Sequence, residues 1–380
     1  MVSTIETLAL DWLADAAAER IRAGLDRRLT PRPPASGLLD LASNDYLGLS
    51  TDPRVRAAAV DAVRVWGTGA TGSRLVTGST ELHHELERGL AGLVGAPRAV
   101  VFSSGYLANI GMITALAGPD CLVICDRANH ASLIDGCRLA RSRLRVIPHA
   151  DLARAETMLS TRAEERALLV IDAIGSADGD LLPLADWHRL ARRHRALLLV
   201  DDAHGLGIRG GGRGAVAEAG IAHEPDVVTS VTLSKALAAQ GGAVLGAPVV
   251  IDHLIATARP FIFDTGLNPA AAGAALAAVD IVVAQPQLAG RVLANAAELA
   301  EACRVPATGS AVIPVVVGAA DRASGLAAAI RDRGIHVGCF RPPSVPAGSA
   351  RLRITARANL TDTEIDRLRA AMDELAPRWI

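Results

Sequence analysis

The chain is nearly without lysine. Of its 39 basic side chains, one is lysine, Lys235, and the other 38 are arginine. Arginine serves wherever a surface charge suffices, but its guanidinium stays protonated and is a poor nucleophile. A solitary lysine in such a chain is a candidate for an amine that must shed its proton and attack a carbonyl. A solvated leftover lysine is the competing explanation, and composition alone leaves both open.

Other scarcities exclude whole classes. Aromatic residues make up 3% of the chain and the net charge is −1, with acids and arginines interspersed. That balance leaves no basic footprint for nucleic acid and no polybasic patch for a membrane surface. The longest apolar stretch, around residues 270–284, is short and interrupted by Asp280, so no membrane span is expected. The five cysteines (Cys121, Cys125, Cys137, Cys303, Cys339) are scattered and lack metal-ligand spacing. They read as reduced core thiols in a reducing compartment, with no metal site. The first twenty residues carry acids early and read as an amphipathic helix, not a signal sequence, which makes a cytoplasmic protein the expectation.

Half of the chain is hydrophobic, mostly Ala, Val, Leu and Ile, and 380 residues suit a large α/β domain with a smaller appendage. A helix is expected over 7–28, then a Pro-rich connector over 30–37. From about residue 55, helical patterns alternate with short apolar runs: AVVFSS (99–104), CLVICD (121–126), RVIPHA (145–150), ALLVIDA (167–173), LLLVDDAH (197–204), DVVTSVTL (226–233) and GGAVLG (241–246). Continuous apolar runs between helices predict a mostly parallel sheet covered on both faces. After Gln285 the texture changes to a long helix (287–303), AVIPVVVGA, a helix, IHVGCF, ARLRITA and a closing helix (361–376), which predicts a small α+β domain. The expected division is an N-terminal segment over 1–50, a large domain over 51–285 and a small domain over 286–380.

In such sheets, sites gather beyond the carboxyl ends of the strands. Ser103, Ser104, Asp126, Asp172, Ser176, Asp201, His204, Thr232 and Lys235 all follow an apolar run, which points to one composite pocket. Residues 205–210, GLGIRG, match the dinucleotide pattern GxGxxG literally. The glycines continue as GGGRGA, however, so no helix opens where a pyrophosphate needs helix N-terminal amides. The match is read as a decoy.

Asp201, His204 and Lys235 carry more information together. A carbonyl-binding lysine suggests pyridoxal 5′-phosphate (PLP). That cofactor needs a carboxylate at its pyridine nitrogen, donors at its phenolic oxygen, a flat group on its face and a phosphate cradle. Asp201 suits the nitrogen, His204 and Ser176 the phenolic oxygen, His130 the ring face, and Gly105, Tyr106 and Thr232 the phosphate. Each residue also has a plain structural explanation: Asp201 as a strand-end turn residue, Ser176 in the SADGD turn, His130 and Gly105 at helix starts. The joint arrangement around one lysine favours the site.

At these residues the sequence resembles the α-oxoamine synthase family of PLP enzymes, which have the type I, aspartate aminotransferase-like fold. The resemblance spans NDYLGLS (44–50), GTGATGSRLVTGST (67–80), SSGYLAN (103–109), DRANHASLIDG (126–136), SADGDLLPL (176–184), VDDAHGLGIRGGGRG (200–214), TLSKALAAQGG (232–242), PFIFDTGLNP (260–269) and RPPSVPAGSARLRIT (341–355). It implies Lys235 as the catalytic Schiff-base lysine and Thr232 as a phosphate ligand. Asp201 is the match for the pyridine partner because the family's aspartate precedes its histidine by three; Asp202 is not. His204 and Ser176 are implied at the phenolic oxygen, His130 on the ring face and in catalysis, and Gly105 and Tyr106 at the phosphate. Arg353 matches the arginine that binds the amino-acid carboxylate, and Asn44 an active-site asparagine. Ser344 stands where the family commonly has Thr. A substrate-contacting arginine is expected near the N-terminus, Arg27 being chosen over Arg28 and Arg32. The family's homodimer implies Thr265 reaching a neighbouring subunit's phosphate. The GSRLVTG and RPPSVPAG stretches look most like the member that condenses L-alanine with a pimeloyl thioester in biotin biosynthesis. A sibling using glycine or serine with another acyl-CoA, and a type I transaminase or lyase, remain alternatives.

Overall fold

A computed structural model of the chain describes residues 8–27, 29–34 and 36–375. Eleven strands are laid down among these residues: β1 (Leu39–Leu41), β2 (Arg98–Phe102), β3 (Cys121–Asp126), β4 (Arg143–Ile147), β5 (Arg166–Asp172), β6 (Leu197–Asp201), β7 (Val227–Thr232), β8 (Gly242–Gly246), β9 (Val312–Gly318), β10 (Ile335–Phe340) and β11 (Ala350–Thr355).

Strands β2 to β8 form one sheet in the order β2-β8-β7-β6-β5-β3-β4. All neighbours pair in parallel except β8, which runs antiparallel to both β7 and β2. The mostly parallel sheet expected from the apolar runs is present. Successive side chains of a strand point to opposite faces, and the two faces feed two cores. Ala99, Val101, Leu169 and Ile171 join one core, while Val100, Phe102, Leu168 and Val170 join the other. Helix Gly105–Leu116 and helix Ala131–Leu139 cover the second face. Burial on both sides explains why these strands read as continuous apolar runs and not as alternation.

Strand β4 departs from expectation. It begins at Arg143 and ends at Ile147, earlier than the RVIPHA run suggested. It is the sheet edge and largely exposed, with Arg143 bonded to Glu164 at 2.7 Å, so pairing with β3 and not hydrophobicity sets its limits. The N-terminal helix is also shorter than 7–28: a 3-10 turn, Leu8–Leu10, leads into Asp11–Arg22, none of whose side chains is buried.

The second sheet has the order β1-β10-β11-β9. β1 pairs in parallel with β10, so the N-terminal segment supplies an edge strand to the C-terminal unit. Arg341 reinforces this union by donating to the carbonyls of Gly24 at 2.6 Å and Asp26 at 3.1 Å. The helices Pro269–Ala284 and Gln287–Ala302 meet at an 85° bend, at the place where the sequence texture changed. No single described helix is long and apolar enough to cross a membrane, and that bent pair passes such a test only jointly. Ala272, Ala275, Ala278 and Val282 of its first helix are buried in the core.

Candidate active site

Register delivers the site. Asp172 is paired with Asp201, Asp201 with Ser230, and both Thr232 and Phe102 with Gly242. The carboxyl ends of β2, β5, β6 and β7 therefore open at one level. A cavity of about 280 Å³ lies there, lined by Ser104, Gly105, Tyr106, Asn109, His130, Ser132, Asp172, Asp201, Ala203, His204, Ser230, Val231, Thr232, Ser234 and Lys235.

Lys235 Nζ lies 2.8 Å from His204 Nε2. Burial pulls the Lys235 amine down to about 8, and the Arg353 charge adds to that; Asp201 and Asp172 pull the other way. Burial, with the Lys235 and Arg353 charges, holds His204 well below its ordinary value, so its imidazole is neutral. The lone lysine is thus half-buried in the cavity wall and close to releasing a proton at neutral pH, which a solvated leftover would not be.

Asp201 accepts from Asn109 Nδ2 at 2.6 Å and from the Ala203 amide at 2.9 Å. Asp202 serves something else: it accepts from the Val216 amide at 3.1 Å and organises the glycine-rich loop. In that loop the GLGIRG stretch leads into a 3-10 turn, Gly210–Gly212, and a four-residue helix, Ala215–Glu218, so no dinucleotide cradle forms there. Asp172 lies beside Asp201; burial, and then the Asp201 charge, raise it well above the usual carboxylate range. The His130 amide donates to Asp172 at 2.7 Å, and the His130 ring meets Ser132 Oγ at 2.7 Å.

The positive end of the cavity is a helix start. Ser104 caps helix Gly105–Leu116 by accepting from the Leu107 amide at 3.1 Å. Helical geometry leaves the Gly105 and Tyr106 amides without partners inside the helix. A Cβ on Gly105 would stand 3.1 Å from Thr232 Cβ, so glycine is what lets this turn approach β7. Thr232 Oγ1 in turn meets Ser234 Oγ at 2.7 Å.

The remaining candidates fall into two groups. Arg353, buried on β11, donates to Asn44 Oδ1 at 2.6 Å and lies 5.1 Å over the Phe340 ring; its Nε is buried without a partner. Arg27 Nη2 reaches Ser344 Oγ at 3.4 Å, while Arg32 pairs with Asp40 at 3.4 Å and Arg28 lies outside the described residues. None of these described residues lines the cavity, nor do Ser176 and Thr265. Ser176 is half-buried in the turn after β5, and Thr265 is exposed, bridged to Ser73. Two strand-end polar residues serve structure instead: Ser103 bonds Asp264, and Asp126 bonds His149 at 3.0 Å.

The sequence reading passed over Asn109, Ser132, Ser230 and Tyr46. Asn109 accepts from Ser230 Oγ at 2.5 Å and donates to Ser132 Oγ at 2.9 Å, which orients its amide toward Asp201. Tyr46 is fully buried with its hydroxyl 2.7 Å from His204 Nδ1. Their only signal was membership of quoted stretches: Asn109 of SSGYLAN, Tyr46 of NDYLGLS, Ser132 of DRANHASLIDG and Ser230 of the run DVVTSVTL.

A family model described as aminotransferase class I and II matches residues 36–372. A protein of Mycobacterium sp. (strain KMS) named 8-amino-7-oxononanoate synthase is 57% identical over 368 residues, covering 96% of each chain. Among solved structures, an SPT (serine palmitoyltransferase) determined with PLP has a TM-score of 0.88 at 27% identity, covering 97% of this chain and 98% of its own. An 8-amino-7-oxononanoate synthase from Francisella tularensis has a TM-score of 0.77 at 25% identity, covering 90% of this chain and 99% of its own. The chain belongs to the aminotransferase class I and II family and, within it, to the α-oxoamine synthases.

Proposed function

We propose that the chain is a PLP-dependent C-acyltransferase that condenses L-alanine with a pimeloyl thioester, releasing carbon dioxide and free thiol and giving 8-amino-7-oxononanoate for biotin biosynthesis. The observation that carries this reading is the high identity, over nearly the whole chain, to a relative bearing that enzyme's name, joined to a cavity that holds the chain's only lysine.

The donor set fits PLP. Lys235 Nζ would hold the aldehyde carbon and Asp201 the pyridine N–H. His204 would meet the phenolic oxygen, with Ser176 joining it by a movement of its turn, and His130 would cover the ring. The Gly105 and Tyr106 amides, with the Thr232 hydroxyl, would hold the phosphate. The orphaned Arg353 Nε suits a carboxylate oxygen from the amino acid. When bound, PLP supplies an electron sink at the amino acid's Cα.

The chain supplies the rest. Arg353 grips the alanine carboxylate and fixes which Cα bond faces Lys235. Lys235, held near 8, takes the Cα proton as a neutral amine and returns a proton later. His130 would donate to the thioester carbonyl as the new carbon–carbon bond forms. Arg27 and Ser344, which meet at 3.4 Å on the surface of the small unit, would contact the entering acyl chain.

Thr265 is exposed and outside its own chain's cavity, as suits a residue serving the neighbouring site of a homodimer. We read residue 285 as the boundary between the large and small units, with 1–50 as a segment that joins the small one. The five cysteines are all unpaired, in keeping with a cytoplasmic enzyme.

The test is a panel of amino acids against acyl-CoA thioesters, scored by thiol release. L-Alanine with pimeloyl-CoA should stand well above L-serine with palmitoyl-CoA. The opposite preference, or turnover without thiol release, overturns the reading.

A further inference from the structure

Tyr46 lies between β1 and helix Pro53–Trp66. Its hydroxyl has three neighbours: His204 Nδ1 at 2.7 Å, Asn44 Oδ1 at 3.1 Å and Arg353 Nη2 at 3.4 Å. The other nitrogen of His204 faces Lys235 Nζ at 2.8 Å. Five side chains thus form one line, from the only lysine to the arginine of the small sheet.

The groups in this line have fixed and switchable members. Arg353 can only donate, and Asn44 Oδ1 can only accept. A neutral imidazole carries one N–H, on either nitrogen, while a hydroxyl both donates and accepts. Burial pushes the Tyr46 phenol up to about 12, so it keeps its proton.

Two arrangements satisfy every group. In the first, the Lys235 ammonium donates to His204 Nε2, the Nδ1–H donates to the Tyr46 oxygen, and the Tyr46 O–H donates to Asn44. In the second, Lys235 is a neutral amine that accepts from Nε2–H, and the Tyr46 O–H turns to donate to Nδ1. Asn44 then keeps Arg353 as its donor. One proton leaves to solvent between the two; Tyr46 carries a single O–H in both and only turns it.

We propose that Tyr46 is a positioning residue that sets the tautomer of His204 and, through it, the ease with which Lys235 gives up its proton. The inference rests on the proposed function for its catalytic meaning and not for its test. Lys235 is faced by Asp201 and Asp172, which favour its charge, and by Arg353, which opposes it, with His204 and His130 beside it. Without the hydroxyl, the Nδ1–H loses the oxygen it donates to, and the Arg353 charge, which acts on His204, disfavours a proton there. Nδ1 then keeps its lone pair, Nε2 takes the proton, and the ammonium loses its acceptor.

The test uses the full-length chain without cofactor. An amine-selective reagent is applied across pH, and the peptide carrying Lys235 is resolved by mass spectrometry. The wild-type midpoint should lie near 8. Tyr46→Phe should lower it by about half a unit or more, a roughly threefold change in proton affinity. In nitrogen-15 histidine spectra, His204 Nδ1 should move from a protonated toward an unprotonated shift. Asn44→Ala, which removes the acceptor of the first arrangement, should move both readouts the same way and covers the case in which Tyr46→Phe does not fold. An unchanged or raised midpoint, or unmoved nitrogen shifts, overturns the proposal. Neither readout involves substrate or turnover, so a failed thiol-release panel leaves this result standing, and the reverse holds too.

Discussion

Asn109 Nδ2 stands 2.6 Å from Asp201 Oδ2, and both side chains are buried at the carboxyl end of the large sheet. The Asn109 amide cannot turn away, because Ser230 donates to its oxygen at 2.5 Å. Asp201 is therefore held as an acceptor with its remaining lone pairs toward the cavity. A hydrogen bond to a charged group contributes about 1.5–3 kcal/mol. Asn109→Ala should weaken PLP retention by about 10- to 100-fold, measured by equilibrium dialysis. An unchanged dissociation constant would remove Asn109 from the site.

Lys235→Arg keeps the positive charge and loses the only side-chain amine that can attack a carbonyl. Turnover should fall by at least about a thousandfold. In the wild type, borohydride treatment with PLP should mark a single side chain. Labelling that leaves the Lys235 peptide unmodified would refute its role as anchor.

Arg353→Lys keeps charge but loses the planar fork and the stacking on Phe340. The KM for the amino acid should rise about tenfold or more, with a smaller change in kcat, because a point charge holds a carboxylate less specifically. A change confined to the acyl-CoA KM would place Arg353 elsewhere in the mechanism.

Gly105→Ala places a methyl group 3.1 Å from Thr232 Cβ. The helix start must then withdraw by a few tenths of an ångström from the phosphate cradle. The expected result is PLP loss on gel filtration about tenfold faster than wild type, with little change in melting temperature, since the cost falls on the ligand's fit. Equal retention by the two proteins would argue that the phosphate sits away from this turn.

His149 is clamped between two carboxylates, its Nδ1 3.0 Å from Asp126 and its Nε2 2.5 Å from Asp180. Its bonds to Asp126 and then to Asp180 raise it to about 10. A base raised in the folded state stabilises fully below its unfolded value, about 6.5, and that stability fades as pH climbs through 10. Water reaches 32% of the His149 side chain, so the gain is held to about 2 kcal/mol. The difference in urea midpoint between wild type and His149→Asn should be largest near pH 6 and shrink toward pH 10. A gap that is constant over this range would mean that the clamp carries no charge.

Much of the fold was legible because its signals are local. Strands buried on both faces must be continuously apolar, and six such runs mark strands of the large sheet to within three residues, while the seventh, RVIPHA, starts two residues after β4 does. β4 escaped because an edge strand is defined by its partner's backbone and needs no apolar run. The annexation of β1 by β10 was invisible for a related reason: three residues carry too little pattern, and their place is set by pairing across nearly 300 positions. The site was legible where a residue type is chemically irreplaceable, as with Lys235 and Asp201. It was not legible where ordinary residues act by position, as with Asn109, Ser230 and Tyr46.

The sequence by itself determined the order of strands and helices and the identity of the one side-chain amine available for carbonyl chemistry. Both follow from residue type and short spacing. Only the tertiary structure decided that amine's company. His204 lies 31 positions from Lys235, Tyr46 lies 158 from His204, and Arg353 lies 309 from Asn44. Such neighbours exist only once both sheets have closed and water has been excluded. The same exclusion lowers the lysine and turns a compositional oddity into a base poised near neutral pH.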